Sequence, residues 1–337
     1  MPHGRLIHHE FPTTGELSNA PLGELGAELL RRLSAGATHE SRKAFEKHLL
    51  MLTRLHELAG ARMETPENRL AVAHFAAHFR FLRHCWLRHG VPFQGAVHVD
   101  IGCGSVNPLA RLFTHVLLGV RKGIGVDLDV APPDAASAHC LARLASAAAL
   151  DPASLFGDAP VRGDAVLANL AGFDLPKLRA GDPSGIDPAR LELRQAPIEA
   201  TGLATASVDV TVSNSVLEHV QDVDAALAEL ARITKPGGFG VHGIDTIDHR
   251  WYGEPHLHPL EFLTVDASER VVAGSNRVRL VEFPALFRRH GFELVDHWSD
   301  NPVVIPPAFR ARMVEPWRSM PDAQLDQTWG QALVRRV

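Results

Sequence analysis

The chain has 337 residues, with 34 Lys or Arg against 39 Asp or Glu, so its formal charge is −5 with histidine neutral. An acidic balance argues against nucleic-acid binding through bulk charge. A content of 45% hydrophobic residues is enough to fill a core, which excludes disordered, collagenous and coiled-coil chains and suits about two domains or one large α/β domain with additions.

The start, MPHGRLIHHEF, lacks the apolar centre of a secretion signal. No uninterrupted apolar run of about 18 residues occurs after it, so a soluble cytoplasmic protein is expected. From residue 20 to about 90, apolar residues recur at spacings of three and four, with breaks at Gly36, Gly60 and Pro66. This predicts helices near 21–34, 40–59 and 66–89, the middle one presenting Phe45, Leu49, Leu52, Leu55 and Leu58 as a packed stripe. With so few large residues the block is expected to pack on the region C-terminal to it.

After Pro92 the rhythm changes to short apolar runs alternating with helical stretches, the pattern of a parallel α/β sheet. Strands are expected at 96–101, 122–128, 191–195, 208–213, 238–244 and 292–298, with helices near 108–118, 134–149, 222–233 and 283–290. Residues 151–188, rich in Gly, Pro and Asp, read as an insertion, and the tail beyond 301, with scattered Pro, Trp and Arg, as an irregular appendage. The expected limits are a helical cap at 1–92, the α/β domain at 93–300 with a substrate-shaping segment at about 246–282, and the appendage at 301–337. Three cysteines, Cys85, Cys103 and Cys140, show no C-x-x-C spacing, so neither a disulfide framework nor a thiolate zinc site is expected. The chain has 20 histidines beside a single tyrosine, and imidazole both titrates near neutrality and ligates metals, so their distribution matters.

The first strand runs into Gly102-Cys103-Gly104-Ser105, and Asn107-Pro108 is expected to cap the helix after it. Small residues let the backbone bend and approach a ligand, and a helix start offers N–H groups to it. The second strand ends in Asp127, 23 positions beyond Gly104, where an acid can accept hydrogen bonds from ribose hydroxyls. Together they point to an adenosine-containing cofactor over the carboxyl edge of the sheet. The third glycine that a dinucleotide pyrophosphate usually needs is replaced by Asn107, a poor fit to a nicotinamide cofactor.

The segments VDIGCGS at 99–105, GIGVDLD at 123–129, SVDVTVSNSVLEHV at 207–220 and ARITKPGGFGVHGID at 231–245 resemble, in this order, the class I S-adenosylmethionine-dependent methyltransferases. Residues 244–249 and Asn276-Arg277-Val278-Arg279 look like a bacterial stand-alone subgroup. The resemblance implies a Rossmann-like seven-stranded sheet with helices on both faces, S-adenosylmethionine as cofactor and S-adenosylhomocysteine as product. It implies that Asp100, Gly102 and Gly104 surround the methionine part, that Asp127 holds the ribose and that Leu128 lies against the adenine. The backbone around Pro197, Ile198 and Glu199 would meet the adenine edge, and Asn214 and Ser215 would approach the methionine moiety. Two departures are Val106, where many members have a further glycine, and Ala196-Pro197-Ile198, which lacks the acid that often receives the adenine amino group.

Displacement at a sulfonium methyl needs an aligned nucleophile, and a base when that nucleophile is a hydroxyl. His219 comes after strand four, and Asp245, Asp248, His249, His256 and His258 come after strand five, with His242 inside it. His249 is expected as general base, with Asp245 orienting it or binding a substrate hydroxyl and His219 as a further candidate, which has a plain alternative as a packed or capping residue. No metal is expected, because His256-x-His258 lacks a helical ligand register, and His74 and His78 read as a packed or exposed face. The expected function is methylation of a small molecule, preferably at a hydroxyl, with N- or C-methylation, a nicotinamide-dependent oxidoreductase and a non-catalytic binding protein as alternatives. Neither nucleic acid nor membrane is expected as a partner, and the N-terminal helices would form a lid or a homodimer contact.

Overall fold

The computed structural model describes residues 66–337, apart from 253, 255, 267 and 270–273. The helices expected at 21–34 and 40–59, with their lid or dimer role, lie outside the described residues. No described helix is long and apolar enough to cross a membrane.

Seven strands form one sheet: β1 (Val97–Ile101), β2 (Lys122–Asp127), β3 (Leu191–Gln195), β4 (Val208–Asn214), β5 (Thr234–Asp245), β6 (Phe292–Pro302) and β7 (Gln327–Arg336). Their spatial order is β3-β2-β1-β4-β5-β7-β6, parallel from β3 to β5, with β7 antiparallel to both of its neighbours. This is the Rossmann-like arrangement that the resemblance implies. Every residue of β1, Val-His-Val-Asp-Ile, is buried, as expected of a central parallel strand covered on both faces.

One face is covered by α1 (Pro66–His89), α2 (Ala110–Leu117) and α3 (Ala135–Leu150), whose Phe81, Leu112, Phe113 and Leu144 are buried with Val210, Val212 and Leu333 of the sheet. The segment 151–188 adds three short helices, α4 (Pro152–Phe156), α5 (Gly163–Asn169) and α6 (Leu175–Arg179), and their Phe156, Val166 and Leu178 enter the same layer. The other face is covered by α7 (Val223–Ile233) and α8 (Phe283–Arg289), with Leu227, Leu230, Phe283 and Phe287 buried against Val99, Ile101 and Val334. Asp134 and Asp222 cap α3 and α7 by accepting the N–H of Ser137 and Ala225. Asn107 does not cap α2, which begins at Ala110; it takes a left-handed conformation (φ +50°) and its carbonyl receives the Ala110 N–H.

The tail departs most from expectation. Rather than an appendage, it supplies β7, which lies inside the sheet and places Leu333 in one apolar layer and Val334 in the other. Its pairing partners are far away in sequence, and local composition carries no trace of them. Leu333→Ala is expected to cost about 2–5 kcal/mol in urea unfolding, the range for truncating a buried leucine, whereas an appendage residue would cost almost nothing.

Several histidines belong to this core. His98 donates from Nε2 to the Pro92 carbonyl at 2.7 Å and meets the His115 Nδ1 at 3.1 Å, both rings being buried. His242, counted with the edge cluster on sequence grounds, is fully buried; its Nδ1 is 2.8 Å from the Ser213 hydroxyl and its ring stacks on Phe287. Burial lowers His98 and His242 to about 4, so both are neutral in the folded chain. A depressed histidine stabilises the fold above its unfolded value of 6.5, and that stability is lost as pH falls through 4. At His242 this amounts to about 3 kcal/mol, and His242→Leu is expected to flatten the decline in stability measured by urea unfolding at a series of pH values.

Candidate active site

The chain leaves β1 for β2 and β3 on one side and returns from β3 to form β4 on the other, and this reversal opens a crevice at the carboxyl ends of β1 and β4. At the end of β1, Gly102 has φ +69°, and a Cβ there would lie 2.2 Å from Val216 Cγ2, so only glycine is accommodated. Gly104 has φ +74° and open space where its side chain would be. The Asp127 carboxylate accepts the Gly104 N–H at 2.8 Å and the Asp129 N–H at 3.0 Å, which puts it at the mouth of the loop. Beside it Leu128 is 67% exposed, an unusual position for leucine and an apolar face for a flat ring.

Asp100 sits deeper. It is buried, and its Oδ1 accepts the Arg111 guanidinium at 2.7 Å. Burial raises its carboxyl to about 6, against the opposing pull of Arg111. After β3, Pro197 is exposed while the Ile198 side chain is buried in the second apolar layer, which leaves backbone as the part of Ile198 that can face a ligand. Glu199 is partly exposed beside it. At the end of β4, Ser215 has φ +55° and donates its N–H to the Gly243 carbonyl at 2.9 Å. A Cβ on Gly243 would lie 2.6 Å from Asn214 Oδ1, so that glycine makes room for Asn214. Asn214 and Gly243 line a cleft whose other walls include Phe75 and His78 of α1, Arg111 and Thr114 of α2 and Gln331 of β7. A loop with two glycines at positive φ, a carboxylate at its mouth, an apolar shelf and a largely apolar cleft carrying a few polar groups fit an adenosine-bearing ligand with a polar tail.

A second group lies past β4 and β5. Asp245, buried at the end of β5, accepts the Tyr252 hydroxyl at 2.5 Å through Oδ2, and His249 Nε2 is 3.9 Å from the same oxygen. That distance is too long for a hydrogen bond but short enough for a strong electrostatic influence. Glu218, fully buried, accepts the Asp245 N–H at 3.1 Å. The His219 and His249 rings meet edge to face with centroids 4.6 Å apart, and His219 Nδ1 donates to the Gly274 carbonyl at 2.8 Å. When neutral, His219 therefore carries its lone pair on Nε2.

The three residues expected on sequence grounds, His219, Asp245 and His249, are thus brought together. The others are not. Asp248 is buried in a paired contact with Arg250, His256 is exposed, and His258 stacks on Phe309 and is 2.9 Å from the Val304 carbonyl. Sequence reasoning gave no individual role to Glu218, Tyr252 or Arg279, although it set the segments around Tyr252 and 259–280 beside the acceptor pocket. Tyr252 is the single tyrosine of the chain and lies three residues beyond His249, a signal that was available. Arg279 is fully buried and donates to the Thr246 carbonyl at 2.6 Å and the Leu325 carbonyl at 3.3 Å, while the Asn276 amide donates to the Leu217 and Val220 carbonyls at 2.7 and 2.9 Å. Segment 274–279 thereby straps the turn after β4 to the turn after β5.

The family model described as a methyltransferase domain matches residues 163–241. No curated protein matches the chain. Among solved structures the chain is similar to geranyl diphosphate C-methyltransferase from Streptomyces coelicolor A3(2), at 14% identity and TM-score 0.44, over 82% of this chain and 86% of that one. It is also similar to a chain from the complex between the Haloferax volcanii Trm112 methyltransferase activator and a methyltransferase, at 18% identity and TM-score 0.40, over 77% and 89%. A third is an S-adenosylmethionine dependent methyltransferase from Mesorhizobium loti, at 15% identity and TM-score 0.37, over 74% and 95%.

The loop geometry makes a direct prediction. Gly102→Val is expected to abolish calorimetric binding of S-adenosylhomocysteine, and Asp127→Ala to weaken it ten- to a hundredfold, the loss of about 1.5–3 kcal/mol for hydrogen bonds to a charged group. Unchanged affinity in both variants would place the ligand elsewhere.

Proposed function

We propose that this chain is a class I S-adenosylmethionine-dependent methyltransferase and that it methylates a hydroxyl group of a small molecule with His249 as general base. The reading rests on one observation: His249, His219, Tyr252 and Asp245 converge past β4 and β5, on the edge of the sheet that also carries Asn214 and Ser215. The net charge of −5 supports a small acceptor rather than a polyanion. The three cysteines form no disulfide, which suits the reducing interior of a cell, where this reading places the enzyme.

Bound S-adenosylmethionine supplies a methyl group made electrophilic by its sulfonium. In this reading Gly102, Gly104 and Asn214 border the methionine part, Ser215 approaches it through its backbone, and Asp100 supports the loop from beneath through Arg111. Asp127 holds the ribose, and Leu128 with the Pro197–Ile198 backbone borders the adenine.

The acceptor hydroxyl loses its proton to His249. The negative charge of Asp245 favours the imidazole proton on Nε2, 3.9 Å away, and leaves Nδ1 as the basic nitrogen. Once His249 is protonated, the same carboxylate stabilises its charge, as an orienting acid does in other histidine bases. The Tyr252 hydroxyl fixes that carboxylate at 2.5 Å, and the buried Glu218 holds the Asp245 backbone. His219, pinned through Nδ1, turns Nε2 away from Gly274 as an acceptor for a substrate hydroxyl.

The test is transfer of labelled methyl into hydroxyl-bearing small molecules. His249→Ala is expected to lower turnover about 10²–10⁴-fold, the span of a general base, while cofactor affinity stays within about twofold. Equal losses of turnover and affinity would make His249 a structural residue, and product methylated at nitrogen or carbon would overturn the hydroxyl assignment.

A further inference from the structure

Away from this site, α1 and β6 share a cluster of three polar side chains. His84 and His89 each bring Nε2 to 2.8 Å from one oxygen of Asp296, Oδ2. The other oxygen, Oδ1, accepts the backbone N–H of His297 at 2.8 Å, which fixes the plane of the carboxylate. All three side chains are between 26% and 29% exposed, so the cluster is sheltered yet open to a small solute.

Asp296 reaches this position through an irregularity in the strand. In a regular strand, residues 294, 296 and 298 share a face. Here the register against β7 shifts between Leu294 and Asp296. Leu294 packs in the apolar layer beneath α7 and α8, whereas Trp298 packs in the layer beneath α1, where its ring centroid is 4.8 Å from those of Phe81 and His84. One extra residue has therefore turned the strand over, and a bulge of this kind re-aims a side chain. Without it Asp296 would face α8 and could not meet the two histidines.

We infer that His84, His89 and Asp296 form a binding site for a divalent transition-metal ion of the zinc class, which ties α1 to β6. Two imidazole nitrogens and a carboxylate oxygen are the donors that such ions prefer. Bonds of about 2.0–2.2 Å place neighbouring donor atoms about 3–3.5 Å apart, so each histidine nitrogen, 2.8 Å from Asp296 Oδ2, needs to move from that oxygen by only a few tenths of an ångström, and the three donor atoms lie within 4.8 Å of one another. The His297 amide on Oδ1 is the supporting contact that orients a ligating carboxylate. The ion takes no part in the transfer reaction. Its effect is mechanical, because α1 carries Phe75, His78, Phe79 and Leu82 along the wall of the cleft, and fixing its end to the sheet fixes that wall.

The experiment uses the full chain after chelator treatment, titrated with Zn²⁺ by calorimetry and with Co²⁺ by visible absorption. Wild type is expected to bind Zn²⁺, to gain thermal stability from it and to show Co²⁺ d–d bands. His89→Ala and Asp296→Asn are each expected to weaken Zn²⁺ binding at least tenfold and to abolish the thermal gain, while His249→Ala leaves both in place. A wild type that binds no Zn²⁺, or binding that His89→Ala leaves unchanged, overturns the proposal. Loss of binding in His249→Ala alone would assign the ion to Glu218, His219 and His249, whose donor atoms also lie within 4.8 Å of one another, and would overturn it equally. If Asp296→Asn does not fold, the Co²⁺ spectra of wild type and His89→Ala still separate these outcomes.

Discussion

The pairing of β7 between β5 and β6 is the constraint on which the rest depends. It is a long antiparallel ladder in which Asp245 is opposite Trp329 and the adjacent Thr246 N–H reaches the Thr328 carbonyl at 2.6 Å. The carboxylate at the centre of the candidate site therefore stands at the end of β5 because residues more than eighty positions later hold that end in line. The same ladder carries β6 on its other side, and with it Asp296. Without β7, β5 and β6 would both present open edges, and no main-chain bonds would fix one against the other.

Burying so many polar groups at one end of a sheet has a cost that the fold offsets locally. Glu218 and Asp245 are buried together, and an isolated buried carboxylate is strongly unfavourable. Arg279 supplies a cation in the same region: fully buried, lowered to about 10 by burial and still charged, it acts on Asp245 through space while its donors are used on backbone carbonyls. The Tyr252 hydroxyl and the Asp245 N–H satisfy acceptors of the two acids at short range. The arrangement leaves His219 and His249 at the rim, where they can meet a solute, with the two buried acids behind them.

The histidine content shows how little composition says about role. His98, His115 and His242 are core residues kept neutral by burial, and His258 is a stacking partner for Phe309. His84 and His89 join a helix to a strand through one carboxylate. Among the described residues, His219 and His249 are the histidines that lie with the acid past β5. Side-chain identity was the same in every case; burial and the neighbouring donor or acceptor made the difference.

The sequence by itself determined the parallel strands β1 to β5, the helices α2, α3 and α7 between them, the turn at Gly102 and the acid at Asp127. Each is encoded over a few residues, by apolar runs, by a glycine where a side chain would collide, or by a carboxylate at a strand end. It also placed His219, Asp245 and His249 on one edge, since strand order puts the ends of β4 and β5 side by side. Tertiary structure alone decided that the tail is a strand, that Asp245 is held by Tyr252 and Glu218, and that Asp296 turns toward α1. These depend on pairings between residues distant along the chain, including a one-residue shift in register, and such contacts leave no periodicity in the local sequence from which they could be read.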